Sequence, residues 1–277
     1  MDYESNISSI GNYAFYNCNI NEKIYLNNCI NIGEYAFSNN FELKNFYFSN
    51  SKKCTVGNYA FANCSGLEYV GYSSNIIALG LNSFENCTSL RNISLNVQNI
   101  PEYSFANCYS LTSITLLNSI NNVSINDYAF YNCHSLKNVL YASKISSVGK
   151  YAFSNSNIES ITLYNCTTID DYSFNNCANL TGVYFKNNGI EPDIAVGNNV
   201  FENCHNLSSL YYNRFISSIG NYAFNMCSNL TSIQYTGTKY LGNNAFEKCY
   251  RLSNILIENC QSIGSNAFNG CSSLTSI

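Results

Sequence analysis

The sequence predicts an α/β repeat solenoid that is mostly β, and three observations carry that expectation. A phenylalanine following a small residue recurs at Phe15, Phe37, Phe61, Phe84, Phe105, Phe130, Phe153, Phe174, Phe201, Phe224, Phe246 and Phe268, eleven steps over 253 residues with a mean period of 23. A fixed period in this range marks units that bury their apolar face only by stacking on their neighbours. An alternating segment follows each phenylalanine, as in Leu90-Arg91-Asn92-Ile93-Ser94-Leu95, and alternation is the signature of a strand with one buried face. Five residues before each phenylalanine stands an aliphatic side chain, from Ile10 to Ile263.

Taken in order, the unit begins with that aliphatic segment, which suits a second short strand. Glycine follows it in nine units, and Pro101, Asn126 and Asp170 fill the other three. Proline excludes a positive φ in this column. Gly, Asn, Asp and Pro together suit the start of a helix, so the column predicts the cap of a short helical turn. Glu34, Glu102, Asp127 and Asp171, one residue on, suit the positive end of such a turn. A tyrosine column comes next (Tyr13, Tyr35, Tyr59, Tyr103, Tyr128, Tyr151, Tyr172, Tyr222), alternating with Asn82, Asn199, Asn244 and Asn266, and reads as half-exposed packing. The small residue before phenylalanine lets the turn lie close to the next coil. After the turn comes the strand, with inward pairs such as Phe46/Phe48, Val70/Tyr72 and Ile114/Leu116.

The full pattern, Ile-Gly-x-x-Ala-Phe-x-x-Cys-x-x-Leu-x-x-Ile-x-Leu as in residues 219–235, resembles the BspA-type class of leucine-rich repeats over essentially the whole chain. The resemblance implies a right-handed leucine-rich-repeat coil with one parallel strand per repeat and short helical turns on the convex side. Residues 1–277 then form a single solenoid domain of about twelve repeats. Neither end carries a polar capping unit, so the chain reads as a fragment. Members of the class are typically bacterial or protozoan surface proteins that attach to host proteins, cells or other microbes. A cell-surface location rests on that resemblance alone. The cytoplasm is the alternative, because Met1-Asp2-Tyr3-Glu4 opens no signal peptide.

Composition narrows the chemistry. With a net charge of −4 and 11% charged residues there is no basic patch to track phosphates, which excludes nucleic acid as a partner. No apolar run reaches the ~20 residues of a membrane helix, so no membrane insertion is expected within the chain. Ten of the fourteen cysteines share one column three residues after phenylalanine, interrupted by Asn40 and Ser156. The runs between the interruptions cannot all pair, and Asn or Ser replaces Cys where a small group hydrogen-bonds the backbone, so these read as free structural thiols. Cys29, Cys166 and Cys260 form a second column, while Cys54 stands alone. Cys133-His134 and Cys204-His205 lie three coils apart, ~15 Å, too far to share a zinc ion. No phosphate loop, nucleophile elbow or recurring carboxylate pair is present. The expectation is therefore a non-enzyme with no cofactor and no metal.

The outward strand face is the functional candidate. Its central column is uncharged: Tyr25, Tyr47, Gly71, Ser94, Thr115, Leu140, Thr162, Tyr184, Tyr211, Gln234, Leu256. Rigid amphipathic rings beside small polar groups suit recognition. Partner-binding residues on this concave face are expected to be Tyr25, Tyr47, Tyr69, Thr115, Thr162, Tyr184, Tyr211 and Gln234, with Tyr184 and Tyr211 stacking on adjacent coils. The partner is a protein, such as a host or extracellular-matrix protein, or a glycan. An intracellular interaction scaffold is the alternative. A rim insertion over 186–193 is read as a surface bulge.

Overall fold

The structure is a computed structural model that describes residues 7–21, 23–49, 51–117, 122–141, 144–186, 193–211, 216–257 and 259–277, with the backbone alone at 141 and 234–236. Residues 187–192 of the rim insertion expected over 186–193 lie outside the described residues. Two compact units are formed, Met1–Lys144 and Ile145–Ile277.

In each unit the chain winds through two parallel ladders per coil. The first unit carries front strands Ile24–Leu26, Asn45–Phe48 and Tyr69–Gly71 in one sheet, and Asn92–Leu95, Ser113–Leu116 and Asn138–Tyr141 in another. Its back strands Ser9–Ile10, Asn31–Ile32, Cys54–Val56 and Ile76–Leu79 form a four-stranded ladder. The second unit repeats the plan, with Ser160–Tyr164, Gly182–Lys186 and Ser209–Tyr211 in front and Thr168–Ile169, Ile194–Val196 and Ile216–Ile219 behind. The short second strand expected from the aliphatic column is therefore present in every unit named. Registers keep identical columns opposite one another, as with Ile93, Ile114 and Val139.

The phenylalanines fill the core. Phe61, Phe84, Phe105 and Phe130 are fully buried, their rings stacked at 5.0–5.5 Å. Phe153, Phe174, Phe201, Phe224 and Phe246 repeat this in the second unit at 5.1–5.6 Å. Each such ring contributes about 1.5–3 kcal/mol by leaving water.

The expected helical turn does not form. Among the described residues the only helix is the 3-10 turn Ser73–Asn75. The segment around phenylalanine instead carries two left-handed residues four apart: Tyr59 (φ 54°) and Asn63 (φ 60°), and likewise their counterparts Tyr103 and Asn107. Successive N–H groups there point in different directions. In the third coil Ala60, Ala62 and Cys64 donate within the coil, to Gly57, Tyr59 and Phe61. Tyr59, Phe61 and Asn63 donate to the next coil, to Leu81, Ser83 and Glu85, each at 2.8 Å. A helix would have turned the Phe61 and Asn63 donors back into their own coil.

The glycine column was also misread as a cap. Its φ is not positive, as the proline at 101 requires, but the reason for glycine is close approach. A Cβ on Gly220 would lie 2.5 Å from the carbonyl of Gly197, and one on Gly242 would lie 2.4 Å from Asn221 N. The residue after glycine works between coils as well. Asp171, expected to face a helix end, accepts the Asn198 N–H at 2.7 Å, and Asn198, Asn221 and Asn243 continue the series to Asn221, Asn243 and Ser265.

One inward position is also corrected. Tyr72 is 54% exposed with φ 55°, because the strand Tyr69–Gly71 ends one residue early and the chain turns left-handed.

Gly220→Ala is expected to lower stability by about 1–3 kcal/mol through overpacking against backbone. Gly11→Ala, where a Cβ meets nothing within 4 Å, is expected to leave it unchanged. Urea midpoints of the two variants make the comparison, and equal midpoints would refute close approach as the reason for the column.

Candidate functional site

The front face is set by strand alternation, which sends Phe46 and Phe48 inward and leaves Tyr47 between them on the outer side. In the first unit the register places Tyr25 opposite Tyr47 and Tyr47 opposite Gly71. Tyr25 and Tyr47 stack at 4.4 Å with an interplanar angle of 9°, and Tyr69 leans on Tyr47 at 5.6 Å. The Tyr47 ring lies over Gly71, whose added Cβ would come 2.3 Å from Tyr47 Cδ1. Aromatic cover of a strand glycine fixes the ring and shields the backbone. Thr115 is not part of this cluster. It sits between Ser94 and the exposed Leu140 in the other front sheet of the unit.

The second unit builds a second cluster by the same means. Thr162, Tyr184 and Tyr211 stand in register on three adjacent strands. Tyr184 and Tyr211 stack at 4.4 Å and 5°, over Gly182, whose Cβ would lie 3.0 Å from the Tyr211 ring. Both remain more than a third exposed. Lys186 Nζ lies 5.9 Å above the Tyr164 ring at the edge of this cluster. Gln234 lies in the strand Ser232–Thr236, and its side chain is outside the described residues.

Beside the front strands of the first unit runs an open polar groove of about 560 Å³ lined by Ser89, Ser110, Thr112 and Ser135 with Glu68 and Arg91. Arg91 and Glu68 are paired at 3.4 Å with both side chains solvated, which makes the pair worth little to stability. Neither the groove nor the amide ladder below is expected from the sequence, whereas the tyrosine column is expected as half-exposed packing. The tyrosine column before phenylalanine is a stacked row, with Tyr35–Tyr59 and Tyr103–Tyr128 at 4.6 Å and, in the second unit, Tyr151–Tyr172 at 4.5 Å. Desolvation, then the neighbouring phenols, push the Tyr35 and Tyr103 hydroxyls up. Two residues after phenylalanine an amide ladder links Asn39, Asn63, Asn86, Asn107 and Asn132 at 2.8–2.9 Å. Its sequence signal was asparagine at every coil from Asn17 to Asn203.

The cysteines are structural and free. From Cys64 onward each thiol of the main column donates to the phenylalanine carbonyl of the preceding coil, as Cys87 to Phe61 at 3.2 Å and Cys227 to Phe201 at 3.1 Å, while Cys18 in the first coil donates to the Tyr16 carbonyl. Asn40 replaces this bond with its amide, 2.7 Å from the Phe15 carbonyl, and Ser156 meets Cys177 at 3.4 Å. Burial pushes these thiols up, Cys64 and Cys177 to about 12. Cys54, read from sequence as solitary, lies in the second column with Cys29. Coils two and four carry one residue more than coil three ahead of the back strand, which hid the alignment. His134 stacks on Tyr109 at 5.4 Å, and His205 Nδ1 lies 3.0 Å from the Met226 carbonyl, so both histidines serve turns. Among the described residues no group of three or more His, Cys, Asp or Glu is placed to hold a metal ion.

A family model described as BspA type leucine rich repeat region matches the chain in six copies, over residues 6–124, 98–192 and 194–277. No curated protein matches it. Among solved structures, a leucine-rich repeat protein from Bacteroides ovatus ATCC 8483 superposes with a TM-score of 0.58 at 23% identity, covering 97% of this chain and 81% of that one. A leucine rich cell surface protein from Faecalibacterium prausnitzii A2-165 gives 0.46 at 21% identity, covering 98% and 82%. The Bacteroides protein shares the fold.

The buried thiols predict an alkaline limit to stability. Their folded values are raised, so their contribution is complete below the unfolded value near 8.5 and is lost as pH climbs through the folded values. The denaturation midpoint is expected to fall steadily between about pH 9 and 12. Replacing Cys64 and Cys177 with Ser should flatten that fall, and an unchanged slope would refute the assignment.

Proposed function

Because the chain belongs to the BspA-type leucine-rich repeat family, we propose that it is a non-enzymatic binding and adhesion module whose uncharged front face takes a protein partner at a cell surface. Leucine-rich repeats are generally protein-binding, and this class is often surface-associated. No helix among the described residues is long and apolar enough to cross a membrane. In this reading residues 1–277 act as one recognition domain of about twelve repeats.

The observation that supports it best is the pair of tyrosine clusters. Tyr25, Tyr47 and Tyr69 in the first unit, and Tyr184 and Tyr211 in the second, are immobilised before any partner arrives, by stacking and by the glycines beneath them. Rings already held in place lose little conformational entropy on binding, and tyrosine is enriched among the residues that dominate interface energies. Thr162 beside Tyr184, and Ser94 and Thr115 in the other front sheet of the first unit, supply small adaptable hydroxyls. A glycan is the second partner class, supported by the hydroxyl-lined groove at Ser89, Ser110, Thr112 and Ser135. The intracellular scaffold is supported by one observation, that the cysteines are free thiols.

Screening the folded protein against arrays of extracellular-matrix proteins and of glycans tests the partner class. For the protein partner so found, Tyr47→Ser and Tyr184→Ser are each expected to weaken binding about tenfold, or ~1.4 kcal/mol, with circular dichroism unchanged. Since the central column carries no charge, the affinity should change less than about threefold between ~50 and ~500 mM salt. Unchanged affinity in both tyrosine variants would overturn the assignment of this face.

A further inference from the structure

One pair of buried nucleophiles stands apart from every other thiol in the chain. Cys29 and Cys54 occupy the same buried column on adjacent coils, at the heads of the paired back strands Asn31–Ile32 and Cys54–Val56. The register sets Asn31 opposite Thr55, so Cys54 is one residue ahead of it and Cys29 two. The extra residue, Ile30, is turned outward and 53% exposed, which lets Cys29 face inward at the level of Cys54. Each thiol donates to the backbone of its own strand, Cys29 to the Asn31 carbonyl at 3.1 Å and Cys54 to the Thr55 carbonyl at 3.4 Å. Neighbouring parallel strands lie ~4.8 Å apart, inside the Cα separation that a disulfide spans.

Their chemistry differs from that of the main column. Interaction with the Cys54 side chain holds the Cys29 thiol down against the pull of burial, while the same interaction and burial push Cys54 up. Thiols such as Cys87 and Cys108 are pushed well up by desolvation, and their carbonyl acceptors lie on the preceding coil and not on their own strand. Beyond Cys54 the second column continues as Ile76, Val97 and Val123, so no third thiol adjoins the pair.

We infer that Cys29 and Cys54 are a thiol–disulfide modification site, at which a small-molecule disulfide oxidant closes a covalent bond between the second and third coils. The Cys29 thiolate attacks one sulfur of the oxidant, breaking its S–S bond and releasing one thiolate. The Cys54 sulfur then attacks Cys29 in the mixed disulfide. The Cys29–Cys54 bond forms, the second oxidant thiolate leaves, and the Cys54 proton passes to it. Two protein thiols are oxidised and the oxidant is reduced to two thiols. Both sulfurs are buried, so the reaction proceeds through local opening of this part of the back ladder.

Glutathione disulfide tests the site on the folded full chain. After oxidation the protein is alkylated in denaturant, cut with trypsin and mapped without reduction, since Lys44, Lys52 and Lys53 separate the two cysteines. The expected product is a Cys29–Cys54 cross-linked peptide pair that dithiothreitol reverses, with Cys64, Cys87 and Cys108 recovered fully alkylated. Cys54→Ser should arrest the reaction at a glutathione adduct on Cys29, and if that variant does not fold, the wild-type map decides alone. Recovery of Cys29 and Cys54 as alkylated thiols while the exposed Cys18 carries glutathione would overturn the proposal, as would a cross-link from Cys29 to any other cysteine.

Discussion

Cohesion between coils depends on a backbone that carries two left-handed residues, four apart, in the turn around each phenylalanine. Placing Tyr, Phe and Asn N–H groups toward the next coil gives three short bonds, as from Tyr59, Phe61 and Asn63, and the residues between them close the turn on itself. A left-handed residue other than glycine costs about 1–2 kcal/mol, and each coil carries two of them. Net backbone bonds of about 1 kcal/mol each, together with a phenylalanine ring stacked above and below, offset that cost. The coil is therefore marginal in isolation and secure in the stack. It is stabilised by its neighbours, as expected for a quasi-one-dimensional array.

The same geometry sets the front face proposed to bind a partner. Register puts Tyr47 beside Gly71, and the Tyr211 ring lies diagonally against Gly182, so a missing side chain on one strand becomes the seat for a ring on its neighbour. An outward aromatic is thereby held without any additional loop. Charge is kept at the margin, where Glu68 pairs with Arg91, and the centre of each face is left to phenols, hydroxyls and an occasional exposed leucine such as Leu140 and Leu256.

Much of this was legible in the sequence because each column is sampled twelve times. Period-two alternation identified Ile93 and Leu95 as buried and Ser94 as outward, and the Cys-to-Asn exchange at Asn40 announced a thiol that hydrogen-bonds backbone. The turn was not legible for a physical reason. Tyrosine at Tyr59 or Tyr103 gives no sign of a left-handed backbone, and only the asparagines that replace it at Asn82, Asn199, Asn244 and Asn266 carry that information. Proline at 101 correctly ruled out positive φ for the glycine column. It could not reveal that a Cβ there would strike the backbone of the coil below, because that clash belongs to the stack and not to the segment. Counting from phenylalanine likewise separated Cys54 from Cys29, since one bulged residue, Ile30, shifts the count without shifting the side chain.

The amide ladder carries an implication for how such a chain changes over time. Asn63 donates to Asn39 and accepts from Asn86, and every member from Asn63 to Asn107 offers the same donor below and the same acceptor above. A whole coil copied and spliced between two others would find its partners waiting, whereas a splice of half a coil would leave amides stranded. Duplication or loss in whole-coil steps is thus the path of least resistance for the gene, and the length of the array is free to drift while its cross-section stays the same.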